Sequence, residues 1–339
     1  MSKDIPFPNV ELIDSTEESD EELFNRLANL PKFEYEKLRK KEADKLGVRV
    51  NFLDKVICQL RLSNEPEPDE NKVIETLEPW PDPVSIIWIV DEIKKQINNY
   101  CILPNNYLAP LVAWIIGTYC FNSFRVFPKL CIYSPQKRCG KSTLMEVLDG
   151  LTFKALMASN TSHAVIYRII EAYQPTLLLD EADTWLMGRN ANEEMRGIIN
   201  SGHTKTTAQV LRCDGDKSEP KAFSTWSPMG IGMIGKPQPT IVDRSIMISM
   251  RRKLKTETVY KLPIEYKQSC VDFRRCILRW SIDNAEAIRS ANYTPPQLNN
   301  DRAMDNWTPL FIIAQMAGEI FLNEMNQSYL AINSEETDE

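Results

Sequence analysis

The chain is poor in metal-binding side chains. It has two histidines, and none of its eight cysteines belongs to a C-x-x-C pair. A structural zinc site would need that spacing, so zinc is not expected to organise the fold. The cysteines fall mostly within apolar runs, as reduced core thiols do. Long hydrophobic runs are also lacking. No charge occurs between Lys95 and Arg125, but Asn98, Asn99, Pro104, Asn105 and Asn106 interrupt that stretch. Only Leu111 to Phe121 is solidly apolar, too short to cross a bilayer. The first residues are acidic and no apolar leader follows them, so the expectation is a cytoplasmic protein with no membrane partner.

What is present is globular. The 339 residues are 43% hydrophobic and 26% charged, with room for two or three domains. The net charge of −7 is unevenly spread. Residues 1–22, 65–78 and 335–339 carry −7, −5 and −4, which leaves about +9 on the remainder. A mildly basic folded part permits a nucleic-acid partner without requiring one.

One stretch organises the rest: KLCIYSPQKRCGKST, Lys129 to Thr143. An apolar strand ends at Ser134, a turn follows, and Gly140-Lys141-Ser142-Thr143 opens a helix with Leu144, Val147, Leu148 and Leu151 on one face. This is the outline of a phosphate-binding loop. Backbone N–H groups of Gln136, Lys137, Arg138, Cys139 and Gly140 would cradle phosphates, with Lys141 supplying charge and Ser142, beside Thr143, holding Mg²⁺. The motif's usual first glycine is missing. Pro135 stands there, fixing φ and offering no donor, so the loop must start differently. Cys139 within the turn fits a small neutral loop residue, or a thiol that makes the site sensitive to thiol reagents.

The second motif is TLLLDEAD, Thr176 to Asp183. A buried strand ends in Asp180, suited to orienting the Mg²⁺ shell, and Glu181, suited to polarising a water. Together the two motifs predict an ATPase core.

Residues 1–19 read as a disordered acidic tail and residues 20–62 as a helical region broken at Pro31. Ala43, Gly47, Leu53 and Val56 have helix-turn-helix spacing, which would turn Arg49, Asn51 and Lys55 to a DNA groove. These permissive residue types fit a small helical bundle for packing or partner contact better. Residues 63–83 read as a proline-rich acidic linker. Helices over 84–120, with Trp88, Trp114 and Tyr119 as core or interface residues, lead into a core ending near residue 256. Within it Lys154 to Ser159 is a strand, Thr161 or Ser162 caps a helix to Tyr173 with Ile166, Ile169, Ile170 and Tyr173 on one face, and Met195 to Asn200 closes another helix. Residues 257–330 read as a helical lid, with a stripe of Cys270, Phe273, Ile277 and Trp280 and a last helix from Trp307 to Met325. Residues 331–339 read as an acidic tail.

Three further features bear on function. Thr204 to Arg212 and Lys221 to Trp226 predict a β-hairpin decorated by Lys205, Arg212, Lys217 and Lys221. It fits contact with single-stranded DNA phosphates in a ring channel, and equally a solvated hairpin with scattered charge. The strand Met229 to Ile234 ends at Gly235-Lys236, where ring ATPases sense the γ-phosphate. Asp243-Arg244 precedes the last core strand, Ser245 to Met250, where Arg244 suits a finger into a neighbouring subunit or a surface Asp-Arg pair. Arg302, ahead of the last helix, is read as reaching the nucleotide from the lid.

The ordered motifs SPQKRCGKSTL, ASNTS, QPTLLLDEAD, IINSGH, DRSI and DRAMDNW, with LPKFEYEKLRKKEADKLGVRVNFLD upstream, resemble P-loop ATPases of phages, plasmids and genomic islands. Those carry a domain of unknown function often fused to primase modules. The resemblance implies an AAA+-like P-loop fold near the superfamily 3 helicases: an α/β parallel-sheet core with a helical N-terminal region and a C-terminal helical lid. It also implies ATP and Mg²⁺ as cofactors, single-stranded DNA and other replication or mobile-element proteins as partners, and a homo-oligomeric ring such as a hexamer. A loader, an initiator or a defence ATPase remains open, as does a nucleotide-gated interaction protein. A small-molecule kinase fits less well, because a basic hairpin and a finger arginine would have no role there.

Overall fold

Alternating apolar strands and amphipathic helices after Phe121 predict a parallel sheet, and the computed structural model contains one. It describes residues 20–30, 32–50, 52–57, 74–159, 161–186, 192–214, 219–297 and 300–335. The chain divides into two compact units, Met1–Lys72 and Val73–Glu339. The acidic tail expected at 1–19 lies outside the described residues, as do 58–73 and 336–339.

In the first unit, α1 (Asp20–Asn29), α2 (Lys32–Lys45) and α3 (52–57) close around Leu27, Ala43 and Leu53, all fully buried.

The second unit opens with α4 (Ile86–Tyr100) and α5 (Leu108–Gly117), followed by β1 (Lys129–Ser134), α6 (Lys141–Leu151), β2 (Ala155–Ala158), α7 (His163–Tyr173) and β3 (Thr176–Leu179). Next come α8 (Asp183–Leu186), α9 (Glu193–Ser201) and the hairpin β4 (Gln209–Asp214) and β5 (Glu219–Ser224). The sheet is completed by β6 (Met229–Ile234), the turn of helix α10 (Pro239–Val242) and β7 (Ser245–Ser249). Five helices follow: α11 (Tyr266–Ser269), α12 (Val271–Asp283), α13 (Ala285–Ser290), α14 (Asp301–Met316) and α15 (Glu319–Glu335).

The five-stranded sheet has the order β2-β3-β6-β1-β7 and is parallel throughout. β1, β3 and β6 are buried along nearly their whole length, as their nearly continuous apolar sequence requires, whereas the edge strand β2 is only half-buried. On β1, Leu130 and Ile132 enter one core with α4, α5, α6 and the C-terminal helices, while Cys131 enters a second with α7 and α9. On β6, Met229, Ile231 and Met233 fill the second core. Its alternate positions are Gly230 and Gly232, which leaves room on the first face for Trp114, Met145 and Leu178.

Several expectations change. The helix over 84–120 is interrupted after Tyr100, where Pro104 introduces a short 3₁₀ turn. Trp88 is 47% exposed, packed edge-on against Phe273, whereas Trp114 and Tyr119 are buried. On α7 the buried residues are Ile166, Tyr167 and Ile170, and Tyr173 is exposed, because the hairpin's Phe223 covers Tyr167. Ser162 is the N-cap of α7, but its side chain makes no capping bond.

Residues 74–83 are not a free linker. Ile74 is buried, Glu75 pairs with Arg274, and the carbonyls of Glu78 and Pro81 accept from Arg275 and Arg279 on α12. The proline-rich, acidic composition that reads as a tether here serves to satisfy a row of arginines. The C-terminal helices are not a detached lid either. Ile277, Trp280, Trp307, Phe311 and Tyr329 share one cluster with Leu144 and Leu148 of α6. The last helix begins at Asp301, breaks at Gly318 and resumes through Glu335, so residues 331–335 are helical.

Candidate functional site

In a parallel sheet the exit ends of the strands lie together, and the candidate site is built there. The turn 135–140 leaves β1 and delivers Gly140 as N-cap of α6 with φ +82°, a left-handed conformation that glycine adopts without a Cβ penalty. Arg138 is left-handed as well, at φ +66°. Left-handed residues in such a turn help form a concavity of N–H groups that suits anions. Among the described residues, no backbone acceptor takes the N–H groups of Lys137 through Thr143. Lys141 is buried beneath the turn, and its ammonium donates to Ser134 Oγ at 2.6 Å. Ser134 in turn donates to the Gln136 carbonyl at 2.6 Å, and Cys139 Sγ reaches the same oxygen at 3.3 Å. Gln136 therefore holds the turn from within, and Pro135 costs the loop no bond that it uses. Arg252 Nε, beyond β7, braces the turn through the Lys137 carbonyl at 3.2 Å.

The acids face this loop from β3, one strand removed, with β6 between. Asp180 Oδ1 accepts from Glu181 N at 2.8 Å, while Glu181 is left-handed at φ +54° and exposed. A non-glycine residue in that region stores strain of about 1–2 kcal/mol. The turn is fastened to β6: Ala182 N donates to Gly232 O at 2.9 Å and Ile234 N to Asp183 Oδ1 at 3.0 Å. A Cβ on Gly232 would lie 2.8 Å from Asp180 Oδ1, so a larger residue there would displace that carboxylate.

Lys137, Arg138, Cys139, Gly140, Lys141, Ser142, Thr143, Asp180 and Glu181 thus line one cleft of about 470 Å³. Asp183, Thr184, Met233 and Ile234 complete it. Asp183 was legible as the last acid of DEAD, but nothing in the sequence marked Thr184 or Met233. Unpaired N–H groups, a buried ammonium and hydroxyls on one wall, with carboxylates on the other, suit a polyphosphate carrying a divalent cation. Among the described residues no group of three or more His, Cys, Asp or Glu side chains could hold a metal alone. A cation here would therefore need ligands from the phosphate itself, as Mg²⁺ usually does.

Arg244 and Arg302 are elsewhere. Arg244 precedes β7, and its carbonyl accepts from Lys129 N at 2.9 Å, which puts it at the entry ends of the strands. Arg302 pairs with Asp243 at 2.9 Å in the same place, and no residue beyond 234 lines the cleft. The expected approach of Arg302 to the loop of its own chain is therefore not made, because α14 starts against the opposite edge of the sheet. Burial, helped by Arg302, lowers the Arg244 pKa. Below them, Lys129 is 1% exposed and donates to Gly202 O at 3.3 Å, and burial, with Arg244 nearby, pushes its ammonium down to about 7. His203 Nε2 pairs with Asn306 Oδ1 at 2.7 Å, and burial beside Lys129, Arg244 and Arg302 lowers its pKa to about 4.

The hairpin forms, but its first strand starts later than expected, at Gln209, and both strands run closer to the turn, to Asp214 and from Glu219. Arg212 and Lys221 are direct cross-strand partners. They reach over Tyr167 and Phe223, which pack at 4.7 Å. Lys205 lies outside the strands, in a 3₁₀ turn, and donates to Asn122 O at 2.6 Å. Lys217 falls outside the described residues.

Residues 249–339 match a family model described as a protein of unknown function (DUF3631). No curated protein matches the chain. Among solved structures it is similar to the apo form of the NrS-1 C terminal region (305–718), at 13% identity and a TM-score of 0.36, over 75% of this chain and 53% of that one. An A form apo structure of the same region gives 13% identity, a TM-score of 0.37, and 72% and 54% coverage. The chain thus spans about half the length of the solved chains it matches.

Proposed function

We propose that the cleft binds ATP with Mg²⁺ and hydrolyses it, and that the protein is a P-loop ATPase of AAA+-like build whose turnover is coupled to single-stranded DNA, a helicase-like replication ATPase of a mobile element. The observation that carries this reading is the convergence of Lys141 and Ser142 with Asp180 and Glu181 at the exit ends of β1 and β3, across β6. Bound Mg²⁺ supplies charge neutralisation at the phosphates. The loop N–H groups and Lys141 hold the β- and γ-phosphates, and Lys141 exchanges Ser134 for phosphate oxygen. Asp180 orients the metal shell, and Glu181 accepts a proton from the attacking water. Arg244 lies too far from its own loop to help there, so its role is proposed in the site of a neighbouring copy within a ring. The basic hairpin is the proposed contact for DNA, and other replication or mobile-element proteins are the proposed partners.

ATP hydrolysis measured with and without single-stranded DNA over a salt series, beside sizing with ATP, tests this. Salt-sensitive stimulation and a ring-sized species are expected, with about 10²–10³-fold loss of turnover in Lys141→Ala. Hydrolysis unchanged by Lys141→Ala sinks the site. Hydrolysis that ignores DNA leaves the nucleotide-gated interaction protein. A smaller effect is expected at β6: Gly232→Ala pushes the Asp180 carboxylate aside and should slow hydrolysis about tenfold or more with ATP affinity retained, read from the split between kcat and KM.

A further inference from the structure

The turn of the first unit is specifically built. Val48 N donates to Ala43 O at 3.0 Å and Gly47 N to Asp44 O at 3.2 Å, and Gly47 has φ +64°. This paired closure ends α2 in a Schellman turn, which needs a left-handed residue at Gly47. Phe52 N and Leu53 N both donate to Arg49 O, so the next helix starts at once. Ala43 and Leu53, both 0% exposed, belong to the one buried apolar cluster of this unit. The Asp54 carboxylate accepts from Tyr35 OH at 2.9 Å and from Arg39 at 2.7 Å, locking α3 to α2.

The polarity of what remains outside is one-sided. Residues 32–55 carry eight Lys and Arg against five Asp and Glu. Two of those acids are already engaged: Glu42 is 5% exposed and paired with Lys45, and Asp54 is held as above. Arg49, just before the third helix, and Phe52 and Lys55 on it, spaced every three residues, are exposed, Phe52 by 55%. Lys40 and Lys41 are exposed on α2. An apolar ring between two cations at a short helix, held by a helix that is itself basic, has the make-up of a groove-reading surface: cations for phosphates or guanine edges and Phe52 for a thymine methyl.

We propose that the unit Met1–Lys72 is a double-stranded DNA-binding module of helix-turn-helix type, with Arg49, Phe52 and Lys55 entering the major groove and Lys40 and Lys41 on the flanking backbone. The sequence spacing alone favours a plain bundle. The closed turn, the burial of Ala43 and Leu53 in one cluster and the outward cations favour the DNA reader. This site is independent of ATP hydrolysis and distinct from the hairpin, which is assigned to single strands.

Fluorescence anisotropy of the full-length chain without nucleotide tests it, with a labelled duplex about two helical turns long and either strand alone as probes. Arg49→Glu with Lys55→Glu is expected to weaken duplex binding about 100-fold, while single-strand binding, ATP hydrolysis and helical circular dichroism stay at parent values. The charge-matched pair Lys253→Glu and Lys255→Glu, exposed in the second unit, is expected to leave duplex binding unchanged. Absent duplex binding by the parent chain, an equal loss for both probes, or an equal loss from the control pair overturns the proposal. The last two outcomes would reduce the surface to non-specific charge, and the first would leave it as a protein-contact bundle.

Discussion

An Arg244→Ala chain should bind ATP nearly as tightly as the parent and turn it over about 10³-fold more slowly or worse, the range for removal of a transition-state arginine. The geometry sharpens this expectation. β1 is six residues long, and at about 3.3 Å per residue its two ends are separated by roughly 17–20 Å. Arg244 is tied to the Lys129 end and the loop leaves from the Ser134 end. A direct effect of Arg244 on the chemistry therefore has to be exerted in a second copy, whereas an effect within its own chain would be one on packing. Mixing Arg244→Ala with Lys141→Ala should restore part of the activity, because some interfaces then combine an intact loop with an intact arginine. Unchanged turnover in Arg244→Ala rules out the trans role. A defect that mixing fails to repair points instead to lost packing of the Asp243–Arg244 turn, which a lowered thermal midpoint would register.

Lys129→Met should make the protein more stable by about 1–3 kcal/mol at neutral pH, since a buried charge without an acid partner is replaced by an apolar side chain of similar length. Lys129 is the first residue of β1, 1% exposed, and its acceptors among the described residues are the Gly202 carbonyl and the Met229 sulfur. Burial lowers its folded pKa from 10.5 to about 7. The folded state thus holds fewer protons than the unfolded chain between about pH 7 and 10.5, so the parent gains stability as pH rises through that window. At or below pH 7 the penalty is complete, and the advantage of methionine should be greatest there and shrink towards pH 10. Denaturant midpoints for both chains at pH 6.5 and 9.5 measure this, and a difference that stays constant with pH would show that the ammonium is not the cause. The Gly202 carbonyl loses its donor in the variant, which sets the lower end of the range.

Sequence alone located the site more completely than the scaffold around it. LCIY and TLLL are short apolar runs that suit doubly covered strands, and each leads into chemistry, GKST after a turn in one case and DEAD at once in the other. Both patterns are local, and local patterns survive in a sequence. Long-range placement does not. Arg302 looked available to the nucleotide because nothing in DRAMDNW shows that α14 starts beside Asp243, at the far edge of the sheet. The segment 74–83 looked like a tether because its partners, Arg274, Arg275 and Arg279, are about 200 residues away in the chain. Tyr167 and not Tyr173 is covered on α7, because the hairpin rather than helix periodicity decides which flank meets Phe223.

β1 runs in register with β6 on one side and β7 on the other along nearly its whole length. Clamped between two neighbours, such a strand has no freedom to bend and can be displaced only as a whole, like a push rod. Its first residue is bonded to the arginine turn and its last to the lysine of the phosphate loop. A pull on Arg244 from a neighbouring copy would thus arrive at Lys141 as a shift in the length or angle of the Ser134 contact. The same strand that carries the turn 135–140 is thus joined by a hydrogen bond at each of its ends to Arg244 and to Lys141.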